Sequence, residues 1–486
     1  MMADKRSKSW LFYLDQERPC IIIAESDLPA DIFNLSNEHL PDSAPTVIEK
    51  VVSCGKATAI LPLLQKHNRG NELFFFFFKK RMTGNLQKIL RNNHLSILTH
   101  IIAVPRLDKP RWYFPANKTI IHNAGNIIKP TKLKASLAWK LMGLLNTAGL
   151  SHWLFPEQVI IAERKSCKQE YHGALAAHLS AHAALRMRDR EFILYTGAYG
   201  IYQKWTAQIM DANGSVVAFA KIGTSRKAIK RLENETRTLE KLRHYTFSRV
   251  SFPEVRSYTG DNLNLGAILI QSPADPHYKI IYRKLNSSHL KALIDLALQT
   301  TKTVDDAHVS ARLKQAGAAI TNIQPGSKNI INQTLASIKQ RIEDNNIPVS
   351  LSHGDFSPWN SFFADDGQMF LIDWELSGQR IWLWDYFNFI FHTTVLIDEK
   401  INTQAAATML DACGIKTNTF RQHCPPEALF NPQLFLLICT LELLEYYVVY
   451  RQEQQKAGFD PDPEINRMIS SLEAILHMAN KKRLRS

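Results

Sequence analysis

The 486-residue chain has no low-complexity stretch, no cysteine pair at metal-ligand spacing and no uninterrupted apolar run long enough to cross a bilayer. Its greasiest segments are Leu73–Phe78, which is too short, and Leu434–Tyr450, which is broken by Glu442 and Glu445; a spanning helix needs about 20 apolar residues. The amino-terminal stretch Met1–Trp10 carries Lys5, Arg6 and Lys8, but Asp15, Glu17 and Arg18 follow where a secretory core would lie, so no leader is expected. Twenty glycines and 21 prolines leave no room for a collagen-like polymer. The six cysteines, Cys20, Cys54, Cys167, Cys413, Cys424 and Cys439, are scattered. They read as reduced thiols of a cytoplasmic protein. Secreted, membrane-spanning and zinc-ribbon classes are thereby disfavoured.

Acids are scarce in one place. Between positions 51 and 150 there are sixteen Lys or Arg but only Glu72 and Asp108, and the rest of the chain balances 43 bases with 43 acids. The whole net charge of +14 therefore sits in that window. Such a region attracts an anionic ligand or a membrane surface. No recognised nucleic-acid module accompanies it, which disfavours nucleic acid as the partner, and a solvated basic face is the plain alternative.

With 45% hydrophobic residues the chain is globular, and its length suggests about three compact units. Residues 1–188 are expected to form a basic mixed α/β domain of unknown role. Cys20–Ala24, Thr46–Val52, Leu73–Phe78 and Trp112–Phe114 read as strands, being short apolar runs with polar or turn residues around them. Ala57–His67, Asn85–Arg91 and Lys132–Leu145 have helical spacing, and Gly173–Leu185 is an Ala/His-rich helix leading to the boundary. Residues 189–275 are expected to form a small sheet plus one helix. Phe192–Leu194, Ile201–Met210 and Val216–Ile222 read as strands, the last two joined by Asp211-Ala-Asn-Gly214, a strong hairpin signal. A charged helix over Arg226–His244 and strands at Val255–Tyr258 and Ala267–Ile270 follow. Residues 276–486 are expected to be mostly helical, interrupted by a β-rich loop region at 351–373.

Chemistry concentrates in that region. His353-Gly-Asp355-Phe-Ser-Pro-Trp-Asn360 is followed by Leu371-Ile-Asp373-Trp-Glu375. Phosphoryl transfer asks little covalent work of a protein; it needs an acceptor hydroxyl in line and phosphate charge neutralised by a divalent cation. An Asp five residues before an Asn suits this, with Asp355 facing the acceptor and Asn360 reaching the metal. The turn Asp365-Asp-Gly367 between two short apolar runs predicts a hairpin that returns Asp373 to the side of Asn360.

These residues resemble the signature of the aminoglycoside phosphotransferase and choline kinase families, relatives of the protein kinases, over roughly residues 190–486. The resemblance implies a two-lobed protein-kinase-like fold in the C-terminal 60% of an α/β (α+β) chain, preceded by an additional mixed α/β domain. It also implies Asp355 as catalytic base or hydroxyl orienter, Asn360 and Asp373 as the ligands of Mg²⁺, and Asp385 of Trp384-Asp-Tyr as a structural carboxylate. ATP is the implied co-substrate, with GTP left open. Lys221 of Phe219-Ala-Lys closes a strand as the kinase Val-Ala-Ile-Lys element does and would take the α- and β-phosphates. Glu235 is its expected partner, with Glu233 the competitor. Gly197-Ala-Tyr-Gly200 matches the phosphate-covering turn loosely, and a plain hairpin turn fits it nearly as well. Gln271 and Ser272 fall where the resemblance puts the purine-binding hinge.

His353 is expected to brace the loop, whereas Glu375 admits a surface or a supporting role. Glu442, Glu445, Tyr446 and Tyr447 lie on a carboxy-terminal helix of the kind that shapes acceptor sites in these families. Only eleven residues separate Asp373 from Asp385, with no Ala-Pro-Glu, so there is no segment to dock a peptide. The expected activity is transfer of a γ-phosphate to a hydroxyl of a small molecule such as an amino sugar, sugar or amino alcohol. The alternative is a non-catalytic nucleotide-binding or scaffold protein on the same fold.

Overall fold

The six-residue run Leu73–Phe78 sets the architecture of the amino-terminal half, because its side chains alternate between two separate cores. Leu73, Phe75 and Phe77 enter one cluster and Phe74, Phe76 and Phe78 the other, so the strand is covered on both faces. A continuous apolar run instead of an alternating one is what that position requires. The computed structural model describes residues 20–25, 28, 46–51, 53, 54, 56–67, 71–79, 83–104, 111–115, 157–167, 175, 176, 179, 190–260, 266–459 and 462–483. The predicted helix Lys132–Leu145 and the charged stretch Met1–Trp10 lie outside the described residues, as does most of Gly173–Leu185. The chain forms two units, Met1–Leu232 with Val255–Pro273, and Glu233–Glu254 with Ala274–Ser486.

The first unit is built on an 11-stranded sheet. Its strands are β1 (Cys20–Glu25), β2 (Thr46–Val51), β3 (Leu73–Lys79), β4 (Leu95–Val104), β5 (Trp112–Pro115), β6 (Glu157–Arg164), β7 (Glu191–Tyr195), β8 (Lys204–Met210), β9 (Val216–Gly223), β11 (Val255–Thr259) and β12 (Ala267–Gln271); β10 belongs to the second unit. They lie in the order β11-β12-β9-β8-β7-β5-β4-β6-β3-β1-β2. The pairs β1–β2 and β1–β3 are parallel, and the pairs from β3 to β11 are antiparallel. Helices α1 (Ala57–Lys66) and α2 (Thr83–Asn92) bring Ile60, Leu64, Leu86 and Leu90 onto the Phe74 face.

The boundary expected at 188 falls inside this sheet. Trp112 pairs with Tyr195 and Tyr113 with Leu194, so strands on either side of it share one ladder. The hairpin at Asp211–Gly214 is present: the Asp211 carboxylate accepts from Asn213 N and Ser215 N, and Asp211 N donates to Ser215 O at 2.9 Å. β8 starts at Lys204, three residues later than the apolar pattern suggests, because Gln203 closes the preceding loop by donating its side-chain amide to Thr196 O.

The second unit is largely helical. Helix α3 (Arg226–Leu242) begins in the first unit and runs into the second. It is followed by α4 (Ser287–Thr300), α5 (Asp306–Ile323), α6 (Lys328–Ile342), α7 (Trp384–His392), α8 (Asn402–Asp411), α9 (Pro432–Lys456) and α10 (Pro463–Arg483). Two three-stranded sheets interrupt the helices, β10-β16-β15 and β13-β14-β17, from β10 (Val250–Ser251), β13 (Lys302–Val304), β14 (Ile347–Ser352), β15 (Ser361–Phe363), β16 (Met369–Leu371) and β17 (Gly378–Ile381). By length and mean hydropathy, 1.4 over its best 18 residues, α9 could cross a membrane, but 72% of that window is buried within the protein. It packs against α5 and α10, and Glu442 within it pairs with Arg312 of α5 at 2.9 Å. Its apolarity belongs to the core.

Candidate functional site

The β15–β16 hairpin brings the predicted residues of the second unit together. Its turn closes through Ala364 N to Gln368 O and Gly367 N to Ala364 O, both 3.0 Å, and sets Ser361 opposite Leu371. One step further, Ile372 N donates to Asn360 O at 3.0 Å. Asn360 and Asp373 therefore sit at the same end of the hairpin. The Asn360 side-chain amide donates to Asp355 O at 2.9 Å and to Asp355 Oδ2 at 3.0 Å. Asp355, Asn360 and Asp373 thus form one cluster.

Three features fix the loop that carries Asp355. The buried Asp385 carboxylate, in the first turn of α7, accepts from Ser352 Oγ at 2.8 Å, His353 N at 2.7 Å and Gly354 N at 3.1 Å. Two of the three are main-chain donors that the loop could not otherwise satisfy in the interior. His353 is fully buried, with its ring edge-on to Trp374. Its Nδ1 accepts from Asp355 N, so Nε2 carries the proton and donates to Ile372 O at 2.8 Å. Burial holds His353 below the usual imidazole range, against the opposing pull of Asp385, so it braces the loop as a neutral ring. Gly354 has φ +84°, and a Cβ there would lie 2.1 Å from Leu376 O; only glycine fits.

Asp373 is not on a strand. It follows β16 in left-handed conformation, φ 68° and ψ 58°, at the start of the short turn Trp374–Leu376. Leu383, just before α7, is also left-handed, at φ 65°. Left-handed backbone costs a non-glycine residue roughly 1–2 kcal/mol, so two such residues flank the segment that joins the cluster to the Asp385 clamp.

The remaining predicted residues fall as follows. Lys221 lies buried on β9, in register with Thr206 and Leu269, and Gln271 ends β12 opposite Phe219; both belong to the first unit, as do Gly197 and Gly200. Gly197 has φ +71° and lies so close to the Lys204 carbonyl that a Cβ would come within 2.2 Å. The hairpin alone accounts for that glycine. Glu235, on the second-unit part of α3, is buried, whereas Glu233 is exposed. Asn234 between them donates to Glu375 O and Ser377 O, tying the helix to the segment after Asp373. Glu442 is buried beside Arg312, and burial raises its carboxyl above the usual range. Glu445 is raised as well, first by burial and then by Glu442.

One residue at the cluster was missed from sequence. His392, at the last turn of α7, has Nδ1 3.5 Å from Asp355 Oδ1, while Nε2 lies 2.8 Å from Tyr447 Oη. Its signal was its spacing: seven residues from Asp385, two helical turns, puts both on the α7 face that meets the loop.

The donor set suits a hard divalent cation. Asn360 Nδ2 bonds Asp355, which turns Asn360 Oδ1 away from it, and Asp373, next in the chain after the Ile372 that pairs with Asn360, is the carboxylate that could join it. Mg²⁺ is held by one or two protein oxygens with phosphate and water completing its shell. Among the described residues no group of three or more His, Cys, Asp or Glu could hold a metal by itself. Much of the basic window, including 105–110 and 116–150, lies outside the described residues.

No family model matches the chain, and no curated protein matches it in sequence. Among solved structures it is similar to a protein of Ralstonia eutropha JMP134 assigned as an aminoglycoside phosphotransferase, with TM-score 0.43 and 9% identity, over 63% of this chain and 97% of that one. It is also similar to a thermostable mutant of aminoglycoside phosphotransferase APH(4)-Ia, at TM-score 0.40 and 14% identity, over 60% of this chain and 95% of that one. A third is the amicoumacin kinase hAmiN in complex with AMP-PNP, Ca²⁺ and Ami, at TM-score 0.35 and 13% identity, over 63% and 93% respectively.

Proposed function

We propose that this chain transfers the γ-phosphate of a nucleoside triphosphate, ATP in the first instance, to a hydroxyl of a small molecule. The observation that carries this reading is the bonded Asp355–Asn360 pair with Asp373 returned beside it by the hairpin. In the reaction the acceptor oxygen bonds the γ-phosphorus as the bond to the β–γ bridging oxygen breaks, and Asp355 orients the hydroxyl and takes its proton. Mg²⁺ would be held by Asn360 and Asp373 and would neutralise phosphate charge. Lys221 is assigned the α- and β-phosphates, with Glu235 as its partner, and Gly197 and Gly200 the phosphate-covering turn.

A small acceptor is favoured over a peptide because the eleven residues after Asp373 are fully used. They form the turn Trp374–Leu376 and strand β17, which pairs with β14. Amino sugars, sugars and amino alcohols are the acceptor classes, with the partly exposed Glu445 and Tyr446 of α9 as candidate contacts. The basic amino-terminal region would suit an anionic acceptor or carrier.

The test is a phosphorylation screen of purified protein with Mg²⁺ and ATP or GTP over sugars, amino alcohols and aminoglycosides, with background hydrolysis as a second readout. Asp355→Ala abolishes transfer while nucleotide still binds; Asp373→Ala and Lys221→Ala weaken nucleotide binding. Nucleotide binding without turnover in wild type would favour the scaffold alternative.

A further inference from the structure

His392 stands between two side chains with which it can form a relay. Besides the contacts to Asp355 Oδ1 and Tyr447 Oη, its ring lies over Trp359, with centroids 5.9 Å apart and planes at 24°. Immediately after it the helix changes its hydrogen bonding: Asp398 N reaches back five residues to Thr393 O, a single π turn of the kind that often marks functional positions. Burial lowers His392 to about 4 and raises the Tyr447 phenol well above its ordinary value. At neutral pH the imidazole therefore has one N–H and the phenol keeps its proton.

Where that single ring proton sits follows from what each nitrogen faces. A lone pair on Nδ1 would point at the Asp355 carboxylate and be repelled, whereas an N–H there is attracted. Nε2 then carries the lone pair, and the Tyr447 hydroxyl can donate to it. We propose that His392 is a positioning residue for Asp355: Tyr447 fixes its tautomer, and its Nδ1–H holds Asp355 Oδ1 while the Asn360 amide holds Oδ2. At 3.5 Å the contact is longer than a formed hydrogen bond. In this state it acts by charge–dipole attraction and leaves Oδ1 able to accept from an incoming hydroxyl. Apo sites often tighten such contacts only when substrate is present.

The proposal rests on the phosphotransfer reading, and its test separates the two. In full-length protein labelled with ¹⁵N-histidine, the His392 ring resonances are identified by their absence in His392→Asn. They are expected to show the Nδ1–H tautomer at neutral pH, and to lose that preference in Asp355→Ala. An Nε2–H tautomer in wild type, or no response to Asp355→Ala, overturns the relay even if the protein is an active kinase. The kinetic arm uses Mg²⁺ and ATP with water as acceptor. His392→Phe and His392→Gln lower kcat about ten- to a hundredfold, with KM for ATP within about threefold of wild type. His392→Asn, whose amide nitrogen can stand near the Nδ1 position, recovers most of that loss, and Tyr447→Phe gives a smaller decrease. Equal losses in the Asn and Gln variants, or losses that follow the thermal midpoint, would mean His392 only glues α7 to α9. Should wild type neither hydrolyse nor transfer phosphate, the functional reading fails while the tautomer measurement still decides the relay.

Discussion

The Asn360 side-chain amide donates both to the main-chain carbonyl of Asp355 and to its Oδ2, at 2.9 and 3.0 Å. The same residue that would offer oxygen to a metal therefore also orients the carboxylate proposed to face the acceptor. These two roles separate in Asn360→Asp, which keeps an oxygen ligand but replaces the donor by a second carboxylate beside Asp355. Losing a hydrogen bond to a charged group amounts to about 1.5–3 kcal/mol. Asn360→Asp is expected to turn over ATP at least tenfold more slowly than wild type, and no better than Asn360→Ala. If the Asp variant kept more than about half of wild-type kcat, the amide brace would be irrelevant to turnover.

Asp385 should matter for folding more than for chemistry. Its carboxylate accepts three bonds from the segment Ser352–Gly354, two of them from main-chain N–H groups. In Asp385→Ala those donors stay buried without acceptors, at about 1–3 kcal/mol each. The expected loss is on the order of 3–5 kcal/mol, read from urea unfolding followed by tryptophan fluorescence. A loss under about 1 kcal/mol would show that the loop finds other partners.

The cluster was legible in sequence because it is local. Asp365-Asp-Gly367 specifies a turn, the flanking short apolar runs specify its strands, and the spacing then returns Asp373 to Asn360 without any long-range information. The left-handed backbone of Asp373 was not legible, because nothing in the residue's identity or spacing announces it. His392 was passed over because a lone histidine among Phe389, Ile390 and Phe391 reads as core; its role needs Asp355 and Tyr447, 37 and 55 residues away. Pairing across distance hid more of the fold. β6 is inserted between β3 and β4, although it follows both in the chain, and the β5–β7 ladder joins residues some 80 positions apart. Neither leaves a periodic mark on the intervening sequence.

Acid should destabilise the second unit below pH 6.5. Burial lowers His289 to about 3 and His392 to about 4, and it lowers His353 too. Each is depressed relative to an unfolded value of 6.5, so the unfolded chain binds more protons as pH falls. The stability these rings contribute is complete above pH 6.5 and is lost as pH drops towards their folded values. Each proton taken up on unfolding contributes a slope of about 1.4 kcal/mol per pH unit, so His289 and His392 together approach roughly 3 kcal/mol per unit near pH 5, and His353 acts in the same direction. Urea midpoints between about pH 6 and pH 4 measure it. His289→Gln is expected to lower the slope by about 1.4 kcal/mol per pH unit; an unchanged slope would mean His289 is accessible to protons in the folded state.

Cutting the chain at 188 should not release an independent carboxy-terminal protein. β7 pairs with β5 on one side and β8 on the other, so removing residues 1–188 strips one ladder from β7 and uncovers Ile193 and Leu194, both buried in the intact sheet. An unpaired apolar edge strand recruits other chains. The fragment 189–486 is therefore expected to aggregate or to unfold at least several degrees below the full chain, as size-exclusion chromatography and thermal scans would report. A monodisperse fragment with an unchanged thermal midpoint would mean that the β5–β7 ladder contributes little, and that the boundary read from sequence is a true folding boundary. The Trp112 ring, 4.4 Å from that of Tyr195, offers a milder probe: Trp112→Ala weakens the same seam without baring it, and a drop in stability there with the fold intact would assign the seam a share of the unit's cohesion.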